Sequence, residues 1–183
     1  QRNAFSSTRR FCNSTLFIAF KMLQAEGLAE GGACNPYFRS IANHPHPDKL
    51  VQAYSALQKA QISDMLVINQ ALLSKHPMPH AFVPLLCLLS ELGLLKPEMI
   101  EYNCQLLVEQ KNPQILCYIL KKYQKAGLLQ NNKAQEFFDE LIRYSSILIG
   151  DRDTCNIWKG LSPNKLTTEK HCEWIRLIAE HVD

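Results

Sequence analysis

A short turn signature recurs four times along this chain, and its spacing constrains the fold more than any other feature. Glu26-Gly27-Leu28, Ala60-Gln61-Ile62, Leu92-Gly93-Leu94 and Ala126-Gly127-Leu128 place their central residues 34, 32 and 34 positions apart. Each follows apolar residues at three- and four-residue steps. Leu50, Val51, Tyr54 and Leu57 precede the second turn, and Ile115, Leu116, Ile119, Leu120 and Tyr123 precede the fourth. Such steps line one face of an α-helix, and a glycine just past the last of them marks a left-handed C-terminal cap. The clearest copy is residues 112–146, read as a helix, a turn at Ala126-Gly127-Leu128-Leu129 and a second helix carrying Ala134, Phe137, Phe138, Leu141, Ile142 and Leu148 on one side. A period in the low thirties with two helices per unit is the mark of stacked helical hairpins, none of which buries its apolar face alone. Gln61 stands where glycine is expected, so that turn should be strained or differently built.

Breaks between units repeat as well. Asn43-His44-Pro45, Lys75-His76-Pro77 and Lys111-Asn112-Pro113 align at spacings of 32 and 36, because proline denies a donor to a helix and restricts the residue before it. Asn35-Pro36 reads as an N-cap with proline at the first helical position. Helices are expected from Asn13 or Ser14 to Gly27, with Leu16, Phe17, Phe20 and Leu23 inward, and then over about 36–42, 47–60 and 64–73, the last capped by Ser63. Further helices are expected over 79–92, 97–109, 113–126 and into the 130s and 140s. The segment 79–92 is apolar nearly all round and so belongs at the centre. No run alternates with period two, and no sheet is expected. Residues 1–12 read as a mobile lead-in and 13–149 as the repeat domain. Residues 150–183 read as a C-terminal helical cap, whose last helix starts at Thr167 or Thr168 and turns Trp174, Ile175, Ile178 and Val182 inward. The expected fold is therefore all-α: a solenoid-like stack of about four antiparallel helix pairs closed by that cap.

Composition narrows the function. The chain of 183 residues is 46% hydrophobic and 20% charged, ordinary for a globular domain. A formal charge of +3 is small beside the clustered excess of Lys and Arg that nucleic-acid domains carry. Seven cysteines, an odd number with no CxxC pair, fit free thiols in a reducing compartment better than a disulfide framework. Cys87, Cys104 and Cys117 fall in or near apolar stripes, where cysteine acts as a small hydrophobe. No apolar run reaches the ~18–20 residues of a membrane span, and no signal peptide is evident at the start given.

The most arguable nucleophile is Cys34, after Gly31-Gly32 and before Asn35-Pro36, where a helix N-terminus would favour a thiolate, with His44 or His46 as base. A loop cysteine in a glycine-rich connection is the simpler reading. His44, His46, His76 and His80 cluster with prolines at the breaks, and Cys155, His171, Cys172 and His181 form a second set. Neither has the spacing of a known zinc site, and a histidine before proline more simply caps the incoming helix, so no metal and no cofactor is expected. Lys121, Lys122, Lys125 and Tyr123 could make a basic, aromatic patch, though a solvated helix face explains the lysines. Glu136, Asp139 and Glu140 read as the wet side of the last repeat helix. There is no phosphate loop, HExxH or GxSxG.

With those residues in view, the units resemble a degenerate tandem repeat, roughly HxNPxxLxxALxxLxxAGLL, of secreted effectors of Legionella and related intracellular bacteria. Gln110-Lys111-Asn112-Pro113-Gln114-Ile115 through Lys125-Ala126-Gly127-Leu128-Leu129 match best, and His76-Pro77 through Leu92-Gly93-Leu94-Leu95 come next. The likeness covers about residues 14–148 and departs where threonine would follow Gly-Leu-Leu, at Lys96 and Gln130. It implies a protein–protein interaction module acting on a host protein, with no catalytic residues. Residues 123–141 also resemble the pentatricopeptide RNA-binding repeat. There the alanine falls five residues past the glycine, whereas Gly127 to Ala134 spans seven, a rotation of about 200° for the second helix's face.

Overall fold

The computed structural model describes residues 13–29, 35–129, 133–144 and 168–180, and within them the fold is all-α, without strands. The helices are α1 (Asn13–Ala25), α2 (Pro36–Asn43), α3 (Pro47–Lys59) and α4 (Met65–Ile68), the last continued by a π-helical turn, Asn69–Leu73. A 3-10 turn, Pro79–Phe82, runs into α5 (Val83–Glu91), followed by α6 (Ile100–Leu106), α7 (Pro113–Lys125), α8 (Lys133–Arg143) and α9 (Thr168–Glu180). The first helix of each unit packs on the next: α1 on α3, α3 on α5 and its leading turn, and α5 on α7. Among the second helices, α4 and its π turn meet α6, and α8 meets α9. One apolar core runs through all of them, from Ala19 and Leu23 to Cys172 and Ile175.

All four turns are built alike. Leu28, Ile62, Leu94 and Leu128 donate their N–H groups to Leu23, Leu57, Leu89 and Tyr123, while Gly27, Gln61, Gly93 and Gly127 donate to Gln24, Gln58, Ser90 and Gln124. This pairing is the Schellman motif, which satisfies the last carbonyls of a helix and requires a left-handed residue at its corner. The three glycines have φ between 70° and 72°, and Gln61 adopts φ 56° in the same role. The unusual turn is thus built identically and strained, since a Cβ in this region costs about 1–2 kcal/mol. Gln61→Gly is expected to stabilise the fold by about 1 kcal/mol, and Gly93→Ala to destabilise it by a similar amount, both read from urea midpoints. An unchanged or lowered midpoint for Gln61→Gly would remove the strain argument.

Aligning the structure corrects the junctions. Pro47, Pro79 and Pro113 each begin a first helix, so their spacing of 32 and 34 matches that of the turns. The residue at the place of His44 and His76 in the third junction is therefore Gln110, not Asn112. Helix 79–92 divides because Pro84 has no N–H; the Val83 N–H instead reaches the His80 carbonyl in a 3-10 turn. α6 starts at Ile100, not Pro97, since Met99 and Ile100 both donate to the Lys96 carbonyl in a preceding turn. Ser63 does not cap α4: that place is held by Asp64 at φ 56°. The π turn that follows buries Asn69, Ala71, Leu72 and Leu73, four of its five side chains.

Each end differs from expectation at one aromatic residue, Phe17 in α1 and Trp174 in α9. Phe17 is 61% exposed, whereas Val51 and Cys117, at the same distance before their turns, are buried. Interior helices have a preceding first helix to cover that position, and α1 has none among the described residues. In α9 the buried residues are Cys172 and Ile175, with Trp174 exposed; the side chain of Ile178 and residues 181–183 lie outside the description, as does the expected turn at 154–158.

Candidate functional site

Helices packed side by side with equivalent residues outward give one row of side chains. Ile18, Gln52, Pro84 and Tyr118 all lie nine positions before their turn residues, on α1, α3, α5 and α7, and all are exposed. Beside them Lys21 and Lys121 are exposed and Ser55 and Cys87 half-buried. The four first helices carry Lys21, Lys49, Lys59, Lys121, Lys122 and Lys125 against Asp48 and Glu91. Lys59 lies 3.7 Å from Glu26 and Lys49 4.0 Å from Asp48. Among the described residues Lys21, Lys121 and Lys125 have no carboxylate within ion-pair distance. Tyr118, not Tyr123, is the aromatic ring on the exposed face of α7 with Lys121 and Lys125, while Lys21 lies over the Phe17 ring, 5.7 Å from its centroid. Tyr123 is buried and stacked on Phe137, ring centroids 4.4 Å apart.

Cys34 lies outside the described residues. The helix start after it is occupied: Asn35 Oδ1 accepts the N–H groups of Tyr37 at 2.8 Å and Phe38 at 3.2 Å, and its amide donates to the Leu28 carbonyl. The N–H groups that would favour a thiolate there are already satisfied. Of the proposed bases, His46 is exposed and His44 is buried with both ring nitrogens engaged. Its Nδ1 accepts the His46 N–H at 3.0 Å and its Nε2 meets the His76 carbonyl at 2.9 Å. His76 repeats this, with the Met78 N–H at 3.1 Å and the Gln110 carbonyl at 3.2 Å. His44 and His76 therefore do not cap the incoming helices but tie each junction to the next; His46 does hold the N-cap position of α3, without a side-chain capping bond. Among the described residues, no group of three or more His, Cys, Asp or Glu is placed to hold a metal ion; Cys155 and His181, and the side chain of His171, lie outside them.

The described thiols are Cys87, Cys104, Cys117 and Cys172. Burial pushes every one upward, to about 12 for Cys104 and about 11 for Cys172, which favours the protonated thiol over the reactive thiolate. The carboxylates of α8 are less uniformly wet than their pattern suggests. Glu136 is exposed, but Glu140 is buried, 2.8 Å from Arg176 on α9 and 3.6 Å from Arg143. Burial also raises the Asp139 carboxyl, against the lowering effects of Gln135 and Arg143. Glu140 serves as the polar seam between α8 and α9, helped at the surface by the Lys133–Glu169 pair.

A second set of polar residues escaped sequence reasoning. Asn69 is fully buried; it accepts the Tyr54 hydroxyl proton and donates to Ser40 Oγ at 2.9 Å. Asn103, also fully buried, donates to the Leu94 carbonyl at 2.6 Å and exchanges amide bonds with Gln135 at 2.8 and 3.0 Å. The signal was present: Asn35, Asn69 and Asn103 recur at steps of 34, and Gln135 follows at 32.

Compared with protein-family models, curated proteins and solved structures, the chain matches none of them. No described helix is long and apolar enough to cross a membrane.

Proposed function

We propose that this chain is a protein-interaction domain, a solenoid-like stack of about four helix pairs with a C-terminal helical cap, and that its partner lies along the row of first helices. The observation that carries this reading is the exposure of Tyr118 on the same face of α7 as Lys121 and Lys125, lysines with no described carboxylate within ion-pair distance, on a row where equivalent positions of successive helices face outward. An extended partner segment with carboxylates for the lysines and one apolar side chain for Tyr118 fits that surface. Aromatic rings flanked by charge are favoured anchors of such contacts. The likeness to effector repeats points to a host-cell protein as the source of the segment.

The test is selection of acidic peptides from a display library, followed by fluorescence anisotropy with the best of them. Tyr118→Ala combined with Lys121→Glu is expected to weaken binding at least about tenfold, the range of a lost hot spot. Tyr102→Ala, exposed on α6 in the other row, should leave it within about twofold. Binding that depends on Tyr102 and ignores Tyr118 would move the site to the second helices and overturn the assignment. Single-stranded RNA provides the other arm: tight, steeply salt-dependent binding would replace the protein reading with a nucleic-acid one.

A further inference from the structure

His44 and His76 hold the same place in successive junctions, three residues before Pro47, which opens α3, and Pro79, which opens the 3-10 turn leading into α5. Each ring accepts at Nδ1 from the N–H two residues on, and each Nε2 donates to the carbonyl at the matching place one junction along, His76 and then Gln110. Only the neutral imidazole with its proton on Nε2 makes both bonds at once. A proton added to Nδ1 of His76 would face the Met78 N–H, donor against donor, at a buried position packed edge-on to Phe82 at 4.5 Å. We propose that His76 makes the second junction an acid-sensitive clasp, which opens when the ring takes a proton and loosens the tie between the junctions before α5 and α7.

The surroundings support this direction. Burial is the main influence lowering the His76 pKa; the backbone contacts with Gln110 and Met78 oppose it without outweighing it, and the charge His44 would carry lowers it further. The other titratable residues on the adjoining segments are His46, Lys75, His80, Glu109 and Lys111. All are exposed, and none contributes charge to the shift. Because the folded protein binds this proton less readily than the unfolded chain, the clasp's contribution is complete above the ordinary histidine value near 6.5. It is lost as pH falls from there through the lower folded value.

The natural control is His76→Gln, since glutamine already stands at the matching place in the third junction. Urea unfolding of the 183-residue chain should weaken more steeply between pH 6.5 and 5 in the parent than in this variant. Amide exchange supplies an independent reading that needs no variant. Protection at Met78, corrected for intrinsic rates, should fall about two- to tenfold as His76 titrates, the worth of one hydrogen bond, while Leu120 in α7 stays protected. Parallel pH profiles for parent and variant, or Met78 protection that does not change across the His76 titration followed by nuclear magnetic resonance, would each overturn the clasp.

Discussion

Phe137→Ala is expected to lower the unfolding free energy by about 3–5 kcal/mol, the range for emptying a buried aromatic site. Phe137 is wholly buried in α8, and its ring stacks on Tyr123 of α7 with planes 30° apart, so the truncation removes burial and ring contact at one position. The apolar inward face of α8 is Ala134, Phe137, Phe138, Leu141 and Ile142, and α9 in turn packs on α8, so a gap at Phe137 reaches both helices. Domains of this size carry about 5–15 kcal/mol in total, so the variant should sit near the edge of folding. Urea denaturation followed by circular dichroism gives the loss directly. Phe17→Ala is the matched control; with that ring mostly in water, its cost should stay within about 0.5 kcal/mol. Because neighbouring units share the stability of a stack, amide protection should fall first in α7 and α8 and least in α1 and α3. Equal losses for Phe137→Ala and Phe17→Ala would show that the stacked core is not what holds these helices.

The turns and first helices were legible because their chemistry is local. A Schellman corner needs one left-handed residue, whose own N–H reaches the carbonyl three positions back while the next N–H reaches five back, so Gly27, Gly93 and Gly127 announce themselves within a short stretch of chain. Apolar stripes such as Ile115 to Tyr123 read off directly for the same reason. Gln61 could be found only by spacing, and its side chain gives no local hint that φ is positive. The helix starts were less secure. Asn112-Pro113 looks like His44-Pro45 in local sequence, but two prolines follow His44 and only the second, Pro47, opens a helix. Pro84 split a helix whose hydrophobicity was continuous, because apolar periodicity carries no information about the missing donor.

The candidate site was harder to read, since it depends on what one unit places beside the next. Tyr118 and Tyr123 lie five residues apart on one helix, about 500° of rotation and hence some 140° between their directions. The lysines therefore share a surface with the former and not with the latter. Glu140 has the polar side chain of a wet face, yet the apolar face is wide enough to include it, and Arg176 from α9 supplies its partner. His44 and His76 carried a recognisable spacing, but the acceptors they use are backbone carbonyls 32 and 34 residues away, which no side-chain pattern records.

Asn103→Leu is expected to cost about 3 kcal/mol despite the near-equal size of the two side chains, because it strands partners in a buried place. The Leu94 carbonyl loses its 2.6 Å donor just past the third turn, and Gln135 loses both amide bonds to α6. Each buried polar group left without a partner costs about 1–3 kcal/mol. Gln135→Leu should cost less, since Gln135 is half-buried and Asn103 keeps its bond to the Leu94 carbonyl. The double variant Asn103→Leu/Gln135→Leu decides between a specific amide pair and a merely tolerated one. If the pair is specific, the two costs should fall short of additivity by about 1–2 kcal/mol, because the second change removes a group the first had already orphaned. Additivity within about 0.3 kcal/mol in urea titrations would mean that the amides contribute separately. Leucine stripes at three- and four-residue steps can slide by one turn of helix and still meet apolar neighbours. The Asn103–Gln135 pair and the Tyr54–Asn69–Ser40 set cannot, since a shift of 5.4 Å along either axis would leave donors facing apolar surface. Neighbouring units therefore share apolar burial for their attraction, while these few amides and hydroxyls select the register at which they stack.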